Sequence, residues 1–323
     1  MKKLFTILAV AAAVVACQKN EIVSLDKGEA ISFGNAFVEN SVRADVANDP
    51  SYSTTEGKGV ALTKFNVYGA VNGVNIFNGN EVTKGEAAYG AAWTLNGAKQ
   101  YWIAGADYKF VGVVDGSKVG VTTITPDAAG LPESISYTVD GATDLLCDVV
   151  TVDDAAAPYS VVTFNYTHLL SKVKFSVKNT TSADATNYRF VLTAAKLTNV
   201  YESGVYGVDA DTWTPDANMR EYILENLTIN SNSTQYHSQE ILLIPGSAVG
   251  VYVKADIQAS DDNGQTWKKV SDVEKTFTNV VTLAKATAYN FIVELGVGSE
   301  IKFTAATMPE WADGDGNDDT VLQ

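Results

Sequence analysis

Apolar and polar residues alternate through much of this chain with the two-residue period of a half-buried strand. In residues 29–38, Ile31, Phe33 and Phe37 share one face, interrupted by Asn35. Val173, Phe175 and Val177 alternate with lysine and serine, and Val251, Val253, Ala255 and Ile257 oppose Tyr252, Lys254, Asp256 and Gln258. Residues 62–71, Tyr108–Val114, 160–166, 289–295 and 301–305 read as further strands. Asn72-Gly73, Asn78-Gly79, Asn96-Gly97, Asp115-Gly116 and Asp262-Asn263-Gly264 supply turn chemistry between them. None of these stretches carries a helical period, so the pattern predicts an all-β chain built as sandwiches rather than alternating βαβ units. The alternation breaks at residues 151–158, which divides the chain into an N-terminal sandwich, 29–155, and a C-terminal sandwich, 159–312.

The N-terminus follows a different pattern. Lys2 and Lys3 precede an uncharged, mostly apolar run over residues 4–15, closed by Val14-Val15-Ala16-Cys17. These are the parts of a secretory signal, and the run is too short for a membrane span, which takes about 20 residues. The Val-Val-Ala-Cys ending resembles the lipobox of bacterial lipoproteins. It implies a signal peptide over 1–16 and a diacylglyceryl lipid on Cys17, with acyl chains such as palmitate. Residues 17–28 then form a polar tether to the outer membrane.

Charge and candidate chemistry narrow the function. The formal charge of −15 becomes −17 once Lys2 and Lys3 are removed, and no basic stripe offsets it, so nucleic acid is not an expected partner. Cys147 is the one cysteine besides Cys17 and reads as a small buried hydrophobe. His168 and His237 lie far apart, without zinc-binding spacing. His168 reads as a hydrogen-bonded residue at a strand start, and His237 falls in a polar loop. The chain has no Gly-x-Ser-x-Gly elbow and no phosphate-binding loop, so neither an enzyme nor a cofactor is expected. The tail, 313–323, has two readings. Asp313, Asp315 and Asn317 match the first three ligand positions of an EF-hand loop, without its glycine or its closing glutamate, so the choice is a solvated acidic tail or weak calcium binding. Trp93, Tyr101, Trp102, Trp213 and Trp267 read either as core filling or as a sugar-stacking face.

Several fragments in order resemble the fimbrillin, or Mfa-like, family of lipoprotein precursors of type V pili. They are Ile31-Ser32-Phe33-Gly34 followed by a loop with an arginine, Trp93 with Tyr101-Trp102 and Tyr108-Lys109-Phe110, Asp144-Leu145-Leu146, Phe164 with His168-Leu169-Leu170-Ser171-Lys172-Val173, Leu243-Ile244-Pro245, Tyr289-Asn290-Phe291, and Ile301 leading to Trp311. The resemblance implies two tandem transthyretin-like β-sandwiches after the lipoprotein signal. It also implies assembly by strand exchange: a protease cuts after an arginine, the first strand leaves, and the groove accepts a strand from the next subunit. The corresponding position is Arg43, with Ala44 as the new N-terminus; the other reading of Arg43 is a solvated loop arginine. Ile31, Phe33 and Phe37 would then belong to a temporary plug strand. Past Trp311 the chain is acidic and glycine-rich, unlike a donor strand, while Ile301, Phe303 and Ala305 alternate well. The expected function is a structural or adhesive subunit of a cell-surface fimbria. Its partners would be other pilin subunits, a processing protease, the outer membrane through Cys17, and a host or glycan ligand. It would be a surface-exposed outer-membrane lipoprotein, joining the fimbrium after processing. The alternative is a non-polymerising outer-membrane lipoprotein that binds glycans.

Overall fold

The computed structural model describes residues 28–34, 37–38, 62–84, 92–181, 187–224, 227–230, 234–236, 240–298 and 300–308, and these contain β-structure and no helix. The first nine strands are β1 (Phe37–Val38), β2 (Lys64–Val71), β3 (Val74–Lys84), β4 (Trp93–Leu95), β5 (Tyr108–Val114), β6 (Thr122–Pro126), β7 (Pro132–Thr138), β8 (Leu146–Val152) and β9 (Asn165–His168). Then come β10 (Ser171–Asn179), β11 (Tyr188–Tyr201), β12 (Ser203–Gly207), β13 (Thr212–Pro215), β14 (Met219–Leu224), β15 (Thr228–Asn230) and β16 (Thr234–Tyr236). The last are β17 (Ile241–Leu243), β18 (Ala248–Ala259), β19 (Lys268–Thr282), β20 (Ala288–Leu295) and β21 (Lys302–Met308).

A seven-stranded sheet in the order β1-β9-β8-β5-β2-β3-β4 dominates the first part of the chain. It is covered on both faces, which explains the nearly unbroken apolar run in Tyr108–Val114. Phe65, Val67, Tyr108, Phe110, Leu146 and Tyr166 face one hydrophobic core. Tyr68, Ala70, Val111, Val113 and Cys147, of opposite parity along the same strands, face a second and larger one. The smaller core is closed by Ile31, Phe33, Trp102, Ala106, Ala155, Val162 and Phe164, which lie outside the regular sheets or at a strand margin.

The larger core continues into a four-stranded sheet, β13-β12-β7-β6, and on into the second part of the chain. This four-stranded sheet is composite. Ser203–Gly207 pairs antiparallel with 134–138 in a five-residue register, so a hairpin from beyond residue 200 completes a sheet begun before residue 140. Tyr206 and Trp213 of the hairpin pack on each other with ring centroids 5.6 Å apart, and Trp213 lies 6.2 Å from Tyr137. Trp213 also donates its indole N–H to the Leu169 carbonyl at 2.6 Å. Lys109 reaches Asp209 at 2.6 Å, and Lys285 pairs with Asp211.

Two five-stranded sheets form the remaining sandwich, one around β10 and β20 and one around β11 and β18. Val173, Phe175, Val177, Phe291 and Val293 from one sheet meet Phe190, Leu192, Leu197, Val251 and Val253 from the other. The hairpin expected at Asp262-Asn263-Gly264 joins β18 to β19, with Asn263 and Gly264 at φ of 57° and 86°.

The structure corrects several local expectations. Asn78-Gly79 is not a turn but lies within β3, where the register slips between Val67 and Tyr68 and Gly79 takes a φ of 74°. It is a bulge, for which a positive-φ glycine suits equally well. No strand follows Asn96-Gly97 directly; Tyr101 makes only an isolated bridge to Ala30. The strand expected at 160–166 begins instead at Asn165 and joins the seven-stranded sheet through β8. Phe303 and Ala305 are committed to the second sandwich, where β21 pairs with β20 from Glu294↔Lys302 to Ala288↔Met308, and Ile301 packs on the larger core just before that strand.

Candidate functional site

The stretch that the hydrophobic pattern marks as the first strand sits between two flanking segments and bonds to both. On one side the Ile31 amide donates to the Gln100 carbonyl at 2.9 Å, and Trp102 donates to Glu29 at 3.0 Å. On the other, Gly34 donates to Val162 and Val162 to Ser32, both at 2.9 Å. Both edges are satisfied, so the segment is a central strand in its layer although it makes only isolated bridges at Ala30 and Phe33. The approach is close at each end. A Cβ on Gly34 would lie 2.6 Å from Val161 Cγ1, and one on Gly28 would lie 2.8 Å from the Trp102 carbonyl oxygen. Farther on, the backbone of β1 pairs parallel with β9, Phe37 opposite Asn165 and Val38 opposite Tyr166.

Phe33 is the centre of this seat and is 6% exposed. Its ring stands edge-on to Phe65, Phe77 and Phe110, with centroids 6.4, 5.6 and 6.1 Å away, and stacks parallel to Phe164 at 6.3 Å. Ile31 is buried in the same core. The aromatic wall is thus complete only with the segment in place.

Elsewhere the structure places the candidate residues apart. Cys17, Arg43, Ala44, His237, Trp311, Asp313, Asp315 and Asn317 lie outside the described residues, as does the side chain of Phe37. His168 is 4% exposed at the end of β9, with Nδ1 2.8 Å from Asp144 Oδ2. Cys147 is buried between sheets, and burial pushes its thiol up to about 12. Each aromatic of the possible sugar-stacking face has its own neighbours. Trp93 packs 5.2 Å from Phe65, Trp102 stacks on Tyr159 at 5.4 Å, Trp213 caps Leu169, and Trp267 lies beneath Arg189 at 4.5 Å. Among the described residues, no group of three or more His, Cys, Asp or Glu side chains could hold a metal ion.

Sequence reasoning missed the polar cluster that ties the two parts of the chain together around 137–144. The Asp140 carboxylate accepts from the amides of Ala142 and Thr143 and from the Thr143 hydroxyl, and Lys118 approaches at 3.3 Å. Desolvation opposes its ionisation, but these bonds outweigh burial and hold the carboxyl well below the usual range. Burial, reinforced by Asp140, pushes the Tyr137 phenol up. Leu242 donates to the Gly141 carbonyl at 2.9 Å, and Arg220 reaches the Val139 carbonyl. The run Asp140-Gly141-Ala142-Thr143 was the available signal, but it reads as an ordinary turn until the partners from beyond residue 200 are known.

Among solved structures, a fimbrial protein from Bacteroides vulgatus is similar at a TM-score of 0.58 and 15% identity, over 88% of this chain and 100% of its own. At that identity the likeness concerns the fold. A candidate cell adhesion protein from Bacteroides uniformis aligns at a TM-score of 0.49 and 14% identity, over 76% of this chain and 91% of its own. No curated protein matches the chain. The family described as fimbrillin-like matches residues 46–311, most of the sequence, and the chain belongs to that family.

Proposed function

We propose that this protein is a structural or adhesive subunit of a cell-surface fimbria of the type V class, assembled by strand exchange. Membership of the fimbrillin-like family supports a fimbrial or adhesive role at the cell surface. The observation that carries the finer reading is the seat of residues 28–34: bonded on both edges, it plugs a core separate from the one that holds the rest of the chain together.

The energetics favour exchange. Burial of Ile31 and Phe33 contributes roughly 1.5–3 kcal/mol each, and four backbone hydrogen bonds add about 0.5–1.5 each, about 5–12 kcal/mol in all. Ordering the seven residues 28–34 opposes this by about 1–2 kcal/mol per residue, or about 7–14. The two nearly cancel, so the segment stays largely because the chain keeps its local concentration high. Cutting the chain after it removes that advantage, and an aromatic slot with two open backbone edges remains for another strand.

In this reading a lipoprotein signal over 1–16 and a lipid on Cys17 hold the precursor at the outer membrane. The sandwiches correspond to 29–155 and 159–312, except that residues 162–168 and the hairpin 203–215 pack back against the first part of the chain. A cut between Arg43 and Ala44 discards lipid, tether and plug together. The test treats the precursor and an Arg43→Ala variant with an arginine-specific protease. Polymer ladders from the first but not the second, with Ala44 at the N-terminus of the polymer, would support the proposal. Ladders from both, or a polymer still starting at Cys17, would overturn it. The alternative of a non-polymerising glycan binder with a tryptophan face gains nothing from the structure, because Trp93 and Trp102 pack on the smaller core, Trp213 on the larger one and Trp267 against Arg189, so they share no face.

A further inference from the structure

A cleft of about 420 Å³ opens on the far side of the seven-stranded sheet from the plug, between β2–β3 and the stretch leading into β6. Its volume falls in the range of small-ligand sites, roughly 300–1,000 Å³. Tyr68, Ile124 and Pro126 give it an apolar side; Asn78, Ser117 and Thr123 give it an amide and two hydroxyls. Asn78, Ser117 and Thr123 are all exposed, so their polar groups stand at the rim.

Two features characterise this cleft. None of its lining residues is charged, although the chain carries a formal −15. The cation of the bordering loop, Lys118, turns away to Asp140 at 3.3 Å and to Thr143. The loop is also fixed in place: Thr122 Oγ1 donates to the Asp115 carbonyl at 2.5 Å and accepts the Lys118 amide at 2.7 Å. The Tyr68 phenol engages Ser117. A cleft held in this way loses little freedom when a ligand enters.

We propose that this cleft binds a neutral sugar, one hexopyranose unit at the end or edge of a surface glycan. The C–H face of such a ring would lie on Ile124 and Pro126, beside the buried Tyr68 that forms the floor, and its hydroxyls would meet Asn78, Ser117 and Thr123. Carboxylated or sulfated sugars would meet no cation in the lining and a repulsive field from the whole chain. The inference rests on the adhesive part of the reading above and gives it a ligand class, without depending on strand exchange.

The test is saturation-transfer NMR on the full, uncut chain, so that a failure of Arg43 processing leaves it untouched. The probes are methyl α-mannoside, methyl β-galactoside and methyl α-glucoside, with N-acetylneuraminic acid as the anionic control. At least one neutral glycoside should receive saturation and shift the amides of Asn78, Ser117 and Thr123, and the acid should not. Asn78→Ala with Thr123→Ala should weaken that binding about tenfold or more while thermal unfolding stays unchanged. The proposal is overturned if no neutral glycoside binds, if the acid binds equally well, if the shifts fall outside the cleft, or if the double variant binds like the parent.

Discussion

Replacing Phe33 with alanine isolates what holds the plug. The ring is 6% exposed and lies within 6.4 Å, centroid to centroid, of four phenylalanines. Truncating a buried phenylalanine costs about 3–5 kcal/mol, transfer and cavity together. The near-balance between burial and ordering for residues 28–34 means that a loss of this size should let the segment leave its seat while the remaining sheets stay folded. Four amides report the event directly: Ile31 and Trp102 on one edge, Gly34 and Val162 on the other. Their hydrogen-exchange protection, which the near-balance keeps modest, should fall to the unprotected rate, because the loss is worth more than about two decades at about 1.4 kcal/mol per decade. Amides of Val173, Phe175 and Phe291, in the larger core, should keep theirs. If these lose protection in step with the first four, the cores are not independent. If the first four do not change, Phe33 does not hold the segment, and the case for a removable plug fails.

Three further outcomes follow from the geometry. Gly34→Ala places a Cβ against Val161 Cγ1 and should loosen the same four amides by about 1–3 kcal/mol, with Val161→Ala restoring most of the loss in a double-mutant cycle. Cys147, its thiol raised to about 12 by burial, should resist iodoacetamide at pH 8 in the native protein and react once unfolded. Because an unfolded thiol ionises near its ordinary pKa of about 8.5, this group should lower stability as pH climbs from about 9 towards 12, and Cys147→Ala should flatten that limb. The Asp262 carboxyl is held down to about 2 by the hydroxyl and amide of Thr266 and by Ser260. Its stabilisation is therefore full above the unfolded value of about 3.9 and fades as pH falls towards 2. An NMR titration of Asp262 should show the low midpoint, and Thr266→Val should raise it.

The sequence revealed most where alternation is regular. Ile31 and Phe33, the hairpin around Asp262-Asn263-Gly264, and the strands around Phe175 and Phe291 could all be read from a two-residue period. The 14-residue β11, the centre of one sheet of the second sandwich, could not. Its inward residues are Phe190 and Leu192, then Ala195 and Leu197, then Val200, because the register slips between Leu192 and Ala194 and again between Leu197 and Val200. Each bulge shifts the phase by one residue, so a fixed period sees noise where the structure has a continuous strand. The seat of the plug was legible only in part. The apolar side chains announce a buried face, but nothing local says that Gln100, Trp102 and Val162 provide the edges, since those partners lie more than 65 residues away. The cleft by Tyr68 gave no signal at all, because isolated Asn, Ser and Thr residues look like any polar loop.

The composite sheet has a mechanical consequence. Where two β-sandwiches are joined by a single stretch of chain, tension between them passes through that stretch alone, and each unfolds on its own. Here the ladder between Ser203–Gly207 and 134–138, the Trp213 anchor at Leu169 and the Lys109–Asp209 contact form a second connection in parallel with the covalent one. Pulled from its ends in a force spectrometer, the protein should not yield as two independent events of separate contour length. The parts should resist bending at their junction and give way together once the hairpin is torn out. In a filament, that would make each subunit a stiff rod segment rather than a pair of beads on a string.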